Sequence, residues 1–182
     1  MSALFCPVPR LQCVRGEAGW SLAVFYSIVE SPVGQLLLAG ERDSLHQLSF
    51  LARRDPDKVI SPKWTHDESY FTQITSQLKE YFDGIRREFD IHLDIGSSRN
   101  SFSRLVWSEL RKIPYGETCS YRTIAERIGR PKAYRAVGQA NHHNPIAIII
   151  PCHRVIGSNG TLTGFGGGLD TKRFLLDLEQ SR

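Results

Sequence analysis

The longest uninterrupted aliphatic run in the chain is Ile146-Ala147-Ile148-Ile149-Ile150, closed by Pro151 and followed at once by Cys152, His153 and Arg154. Apart from Ala147 it consists of one β-branched residue type, which is stiff in helices and packs well on a pleated surface. The run therefore predicts a strand buried on both faces. Any fold open to this chain must cover that segment, and must do so where a thiol and an imidazole follow it.

The run falls far short of the ~20 apolar residues of a membrane helix, so no membrane partner is expected. The start of the chain carries Pro7, Pro9, Arg10 and Arg15 and lacks the apolar stretch of a signal peptide. The four cysteines, at 6, 13, 119 and 152, form no Cys-x-x-Cys pair. A disulfide framework is thus not expected, and a reducing, intracellular compartment is. Of 182 residues, 41% are hydrophobic and 23% charged. Those values exclude a disordered, collagen-like or coiled-coil chain and leave room for one or two small domains. The net charge of +4 leans only mildly toward polyanions.

Residues 1–20 lack periodicity and read as an N-terminal arm. Leu22–Glu30 and Gln35–Ala39 are strand-like on either side of Ser31-Pro32-Val33-Gly34, and Leu45–Leu51 is a candidate third strand. Tyr70, Phe71, Ile74, Leu78, Tyr81 and Phe82 recur at helical spacing, Arg86–Leu93 reads as extended, and Gly96-Ser97-Ser98 as a linker. This gives a small α/β domain over residues 21–96. Residues 97–182 read as mostly helical. Phe102, Leu105, Val106, Leu110 and Ile113 share one helix face that ends at Pro114-Tyr115-Gly116. Glycines at 164, 166, 167 and 168 make a loop before a last helix bearing Phe174, Leu175 and Leu178, with Asp170 or Thr171 as its cap.

Two short helical patterns flank Gly129-Arg130-Pro131, the arrangement of a helix-turn-helix. Projected at about 100° per residue, Ala133, Ala136, Val137 and Ala140 gather on one side of the second helix, with Lys132, Arg135 and Gln139 opposite. A basic amphipathic helix that merely faces water gives the same pattern, and periodicity alone does not choose between them.

Cys152 follows the apolar run and precedes His153. A thiol becomes a strong nucleophile where an imidazole or positive dipole favours its ionised form. Sequence neighbours diverge in direction, so a water relay between the two is expected in place of a direct bond. Taken in isolation, such a pair is more often a buried structural cysteine beside a satisfied surface histidine.

Ile149-Ile150-Pro151-Cys152-His153-Arg154-Val155-Ile156 resembles the active-site motif of the O6-alkylguanine-DNA alkyltransferases, the methylated-DNA–protein-cysteine methyltransferases. Pro114-Tyr115-Gly116-Glu117-Thr118-Cys119-Ser120-Tyr121 resembles the family's entry into its helix-turn-helix. Arg135-Ala136-Val137-Gly138 resembles the recognition helix, Asn144-Pro145 the hinge after it, and Gly166-Gly167-Gly168-Leu169 with Leu175-Leu176-Asp177-Leu178-Glu179 the closing loop and last helix. Ser31-Pro32-Val33-Gly34 resembles the start of the family's ribonuclease-H-like domain.

The resemblance implies a ribonuclease-H-like α/β domain, with a small antiparallel sheet and a helix, ahead of the helix-turn-helix domain. It implies direct-reversal DNA repair: O6-alkylguanine, and O4-alkylthymine, flipped from duplex DNA and dealkylated once and irreversibly by Cys152. His153 takes the thiol proton through water, Glu179 orients His153, and Tyr121 donates to guanine N3 and helps rotate the nucleotide. Arg135 fills the vacated stack, with Lys132, Gln139, Ala136 and Gly138 on the DNA-binding surface. Asn144, Ala147, Val155, Phe165 and Gly166 form the substrate pocket. The partner is double-stranded DNA, the protein acts as a monomer without cofactor, and it works at a bacterial nucleoid in the cytoplasm or in a eukaryotic nucleus.

Some family members hold zinc in the first domain; here His46 fits one ligand position but Glu41 stands where a Cys would be, and no metal is expected. Ala147 stands in place of a proline, and Phe165 in place of a tyrosine, found in some members. Binding-only alkyltransferase-like proteins lack the acceptor cysteine, and Cys152 argues against that class. A transcription regulator needs a sensing domain that is not evident here, and the helix-turn-helix beside Cys152 argues against a Cys-His hydrolase.

Overall fold

The computed structural model describes residues 13–16, 19–41, 43–52, 54–96 and 100–181. Most of the expected arm and the Ser97-Ser98 linker lie outside these residues. The end of the arm is ordered differently from expectation, because β1 (Cys13–Gly16) pairs antiparallel with β2 (Gly19–Leu22). Backbone ladder bonds alone can form such a ribbon, without the apolar periodicity that sequence reading looks for.

A four-stranded sheet follows, in the order β5-β4-β3-β6, from β3 (Phe25–Val29), β4 (Leu36–Glu41), β5 (Ser44–Phe50) and β6 (Thr65–His66). The short helix α1 (Pro56–Val59) lies between β5 and β6. The first three strands are antiparallel and β6 joins β3 parallel, so the sheet is mixed. Helix α2 (Thr72–Phe82) covers it with Ile74, Leu78 and Tyr81, and Gln77 binds the main chain of Asp90 on both sides. Those bonds hold the segment after Arg86 extended without making it a strand; it touches the sheet through one bridge, Leu45 to Leu93.

The second half packs α3 (Ser101–Leu110) against α4 (Tyr121–Arg127) and α5 (Tyr134–His142), with β7 (Cys119–Ser120) leading into α4. Asn100 caps α3 through Ser103 N, and Ser120 caps α4 through Thr123 N. Buried Val106, Trp107 and Leu110 form the inner face of α3, and the Trp107 indole donates to Ala140 O in α5 at 2.9 Å. Last come β8 (Val155–Ile156), parallel to β7, and α6 (Leu169–Gln180).

Residues 146–150 do not form the expected strand. Ile146 makes a single bridge to Leu48, after which the chain turns, with Ile149 N bonded to Ala147 O and Ile150 N to Ile146 O. The Asn144 side chain replaces a strand partner: its Oδ1 accepts from Ile146 N at 3.1 Å and its Nδ2 donates to Ile150 O at 2.7 Å. Ile148 sits at φ 70°, a backbone region costing a β-branched residue about 1–3 kcal/mol. Apolar composition required burial of this segment; it did not require extension.

Gly168, not Asp170 or Thr171, is the N-cap residue of α6. The buried face of α6 is Lys172, Leu175, Leu176 and Glu179, whereas Phe174 is exposed.

Candidate active site

Cys152 opens a single 3-10 turn, Cys152–Arg154, directly behind the strained Ile148 corner. All three residues are buried. Asn144 Nδ2 donates to Cys152 Sγ at 3.0 Å, so the amide that closes the apolar turn also fixes the thiol. Burial pushes the thiol pKa above its ordinary value, opposed by the Asn144 hydrogen bond and the Lys172 charge. At neutral pH the resting group is therefore a thiol, which must lose its proton before it attacks.

His153 lies with its Nε2 2.9 Å from Glu179 Oε1. Burial holds its pKa below the ordinary value despite the carboxylate, so the resting ring is neutral. Its Nδ1 is buried with no hydrogen-bond partner among the described residues.

Glu179 is the hub. Besides His153 it accepts Tyr81 Oη at 2.7 Å, Arg154 Nε at 2.7 Å and Nη2 at 2.9 Å, and Gly116 N at 3.2 Å. Burial by itself raises a carboxyl pKa, but the hydrogen bonds from His153 and Arg154, with the Arg154 charge, outweigh it and hold Glu179 well below the carboxylate range. Gly116, at φ 79°, brings the chain so near that a Cβ would lie 2.9 Å from Glu179 O. No other residue fits there without displacing α6.

Lys172 was not singled out in the sequence, nor were Arg154 and Tyr81. Lys172 is fully buried and donates to Val155 O at 2.6 Å and Thr163 O at 3.2 Å. Burial lowers its pKa to about 8, and the Cys152 thiolate favours its charge. One signal was available: Lys172 and Glu179 are seven residues apart, two helical turns, and so share a face. Tyr81 comes from the first domain and carried no such signal.

Asn144, Ala147, Cys152, Phe165 and Gly166 line one pocket together with Phe50, Asn141 and His142. Phe165 closes it against Phe50, with ring centroids 5.4 Å apart. The pocket measures about 30 Å³, space for about two waters. Asn141, also missed, is buried here with both side-chain amide atoms unpartnered among the described residues. Val155 stands apart from the pocket: its N–H reaches Cys152 O and its carbonyl is held by Lys172.

The Tyr121 ring is half-buried at the start of α4, against Gly138, where a Cβ would lie 3.9 Å from it. Arg135, Ala136 and Gln139 are exposed on α5, with the Arg135 guanidinium 5.9 Å from the Tyr134 ring centroid. Ala136 therefore belongs to the outer face, not the inner one formed by Val137 and Ala140. Lys132 is exposed in the turn ahead of α5, not on the helix. His46 keeps a buried Nε2 without a partner among the described residues, and no group of three or more His, Cys, Asp or Glu there could hold a metal ion. No described helix is long and apolar enough to cross a membrane.

Two family profiles match this chain. "6-O-methylguanine DNA methyltransferase, DNA binding domain" covers residues 101–181, and the ribonuclease-like domain of the same family covers residues 24–95. The methylated-DNA–protein-cysteine methyltransferase of Methanosarcina acetivorans is 48% identical over 87% of this chain and 99% of its own. That of Mycobacterium tuberculosis is 49% identical over 87% of this chain and 94% of its own. A crystal structure of the Mycobacterium tuberculosis O6-methylguanine methyltransferase superposes with a TM-score of 0.80 at 50% identity, covering 87% of this chain and 94% of that one. The same organism's OGT in complex with DNA gives 0.80 at 49% identity, covering 86% and 93%.

Proposed function

The chain belongs to the 6-O-methylguanine DNA methyltransferase family, and we propose that Cys152 is the residue that receives the alkyl group. The protein is a methylated-DNA–protein-cysteine methyltransferase that repairs DNA by direct reversal. The observation that carries the assignment is the placement of Cys152 Sγ: it lines the pocket, bonded to Asn144, one residue before the neutral His153 held by Glu179.

Sγ attacks the alkyl carbon, the S–C bond forms, and the C–O6 bond breaks with its electron pair passing to the purine. His153 Nδ1 takes the thiol proton through a water as the thiolate develops, which answers the raised thiol pKa. Lys172, whose charge favours the Cys152 thiolate, stabilises the same charge. The S-alkyl cysteine is a stable thioether, so each molecule acts once. Tyr121 donates to the purine N3 as negative charge builds there.

An alkylated base inside a duplex cannot reach Sγ, so the nucleotide must be flipped out, with Arg135 filling the gap. A pocket of about 30 Å³ is too small for a purine, so entry displaces Phe165 and the glycine-rich loop around it. Lys132, Gln139, Ala136 and Gly138 accompany Arg135 at the duplex. The compartment follows the substrate: a bacterial nucleoid or a eukaryotic nucleus.

The test is mass spectrometry after incubation with O6-methylguanine duplex DNA. One methyl group per molecule on the Cys152 peptide is expected; repeated turnover, or transfer surviving Cys152→Ala, defeats the reading.

A further inference from the structure

Thr163 lies in the loop between β8 and α6, is exposed, and is nonetheless tied to the site at both of its polar ends. Its hydroxyl donates to Tyr121 Oη at 2.9 Å. Its carbonyl accepts from Lys172 Nζ at 3.2 Å. Lys172 is fully buried, is pinned to Val155 O at 2.6 Å, and stands 6.0 Å from the Tyr121 ring centroid. The phenol is therefore held from two sides by one buried cation, directly over its ring and indirectly through Thr163.

The direction of the Thr163 bond has a chemical consequence. Tyr121 Oη is the acceptor, so the phenol keeps its own proton to give away. A hydroxyl that accepts one hydrogen bond is a stronger donor in the next, because successive bonds polarise one another. We propose that Thr163 is a positioning residue for alkyl transfer: it fixes Tyr121 Oη, directs the phenolic proton toward the flipped base, and strengthens that donor. The inference rests on the reading that Tyr121 donates to the purine.

The benefit belongs to the transfer step. As the C–O6 bond breaks, the purine gains an electron pair, and a hydrogen bond to its ring nitrogen strengthens as that charge grows. Only interactions stronger in the transition state than in the bound state raise the rate of the chemical step. Loss of the Thr163 hydroxyl therefore slows transfer while leaving affinity for duplex DNA in place.

The experiment measures single-turnover methyl transfer at saturating O6-methylguanine duplex, with duplex Kd determined separately, for wild type, T163V, T163S, Y121F and T163V/Y121F. T163V is expected to be about five-fold slower with unchanged Kd, the size of one net hydrogen bond. T163S should return to within about two-fold of wild type, because it restores the hydroxyl. In the Y121F background T163V should cost nothing further, since its effect passes through the phenol. A wild-type rate for T163V, an equal loss in both backgrounds, or a change confined to Kd overturns the proposal. Should Y121F itself react at the wild-type rate, the assignment of Tyr121 fails first, an outcome distinct from a slow Y121F beside a normal T163V.

Discussion

Substitution of Glu179 by Gln changes one atom and removes one buried charge. The carboxylate is 2% exposed and accepts bonds from Tyr81, His153, Gly116 and, twice, Arg154. A Gln keeps one acceptor oxygen but turns an NH2 toward groups that are themselves donors. Arg154 then stays buried without its counter-charge, a situation that costs about 3–5 kcal/mol. For a chain of this size, that corresponds to a Tm lower by roughly 6–20 °C. The wild type carries a pH signature of the same interaction. Glu179 has a folded pKa depressed from 4.5, so its stabilisation is complete above that value and drains away as pH falls below it. His153, depressed from 6.5, adds a loss of the same sign that begins as pH falls below 6.5, because the unfolded chain takes up a proton that the folded chain refuses. Urea denaturation at several pH values reads both effects. E179Q should be markedly less stable at pH 7 and show a shallower decline below pH 4.5, and its alkyl transfer should be slow even where it is fully folded. An E179Q protein as stable as wild type at pH 7, with the same acid limb, would refute the ion-pair reasoning.

Arg135→Ala should slow repair in duplex DNA strongly but change reaction with free O6-benzylguanine little, since a free base needs no extrusion; equal losses on both substrates would tie Arg135 to the fold or the pocket. A mismatched lesion should suffer less than a well-paired one. Lys172→Met should slow alkyl transfer by removing the cation that favours the Cys152 thiolate. The reaction of its thiol with a small alkylating reagent should then require higher pH than in wild type, and an unchanged pH–rate profile would remove Lys172 from the mechanism.

What the sequence determined is local. Helical spacing located α2, α3 and α6, the Gly129-Arg130-Pro131 break located the two helices around it, and Pro151-Cys152-His153 marked the candidate nucleophile. These signals survive without tertiary structure because a periodicity, a cap and a turn each reflect interactions within a few residues. Tertiary structure alone decided the rest. Burial of Ile146–Ile150 was legible, but whether its backbone groups would be met by strand partners or by Asn144 was not, since both solutions bury the same apolar surface. The charge network was equally out of reach: Tyr81, Gly116 and Glu179 meet across separations of 63 and 98 residues. The resting state of Cys152 was out of reach too, because adjacency to His153 does not say how far packing desolvates the sulfur, and here it favours the thiol. Sequence names the groups that can react; enclosure by distant elements fixes their protonation, because desolvation depends on everything that surrounds a group and not on its neighbours in the chain.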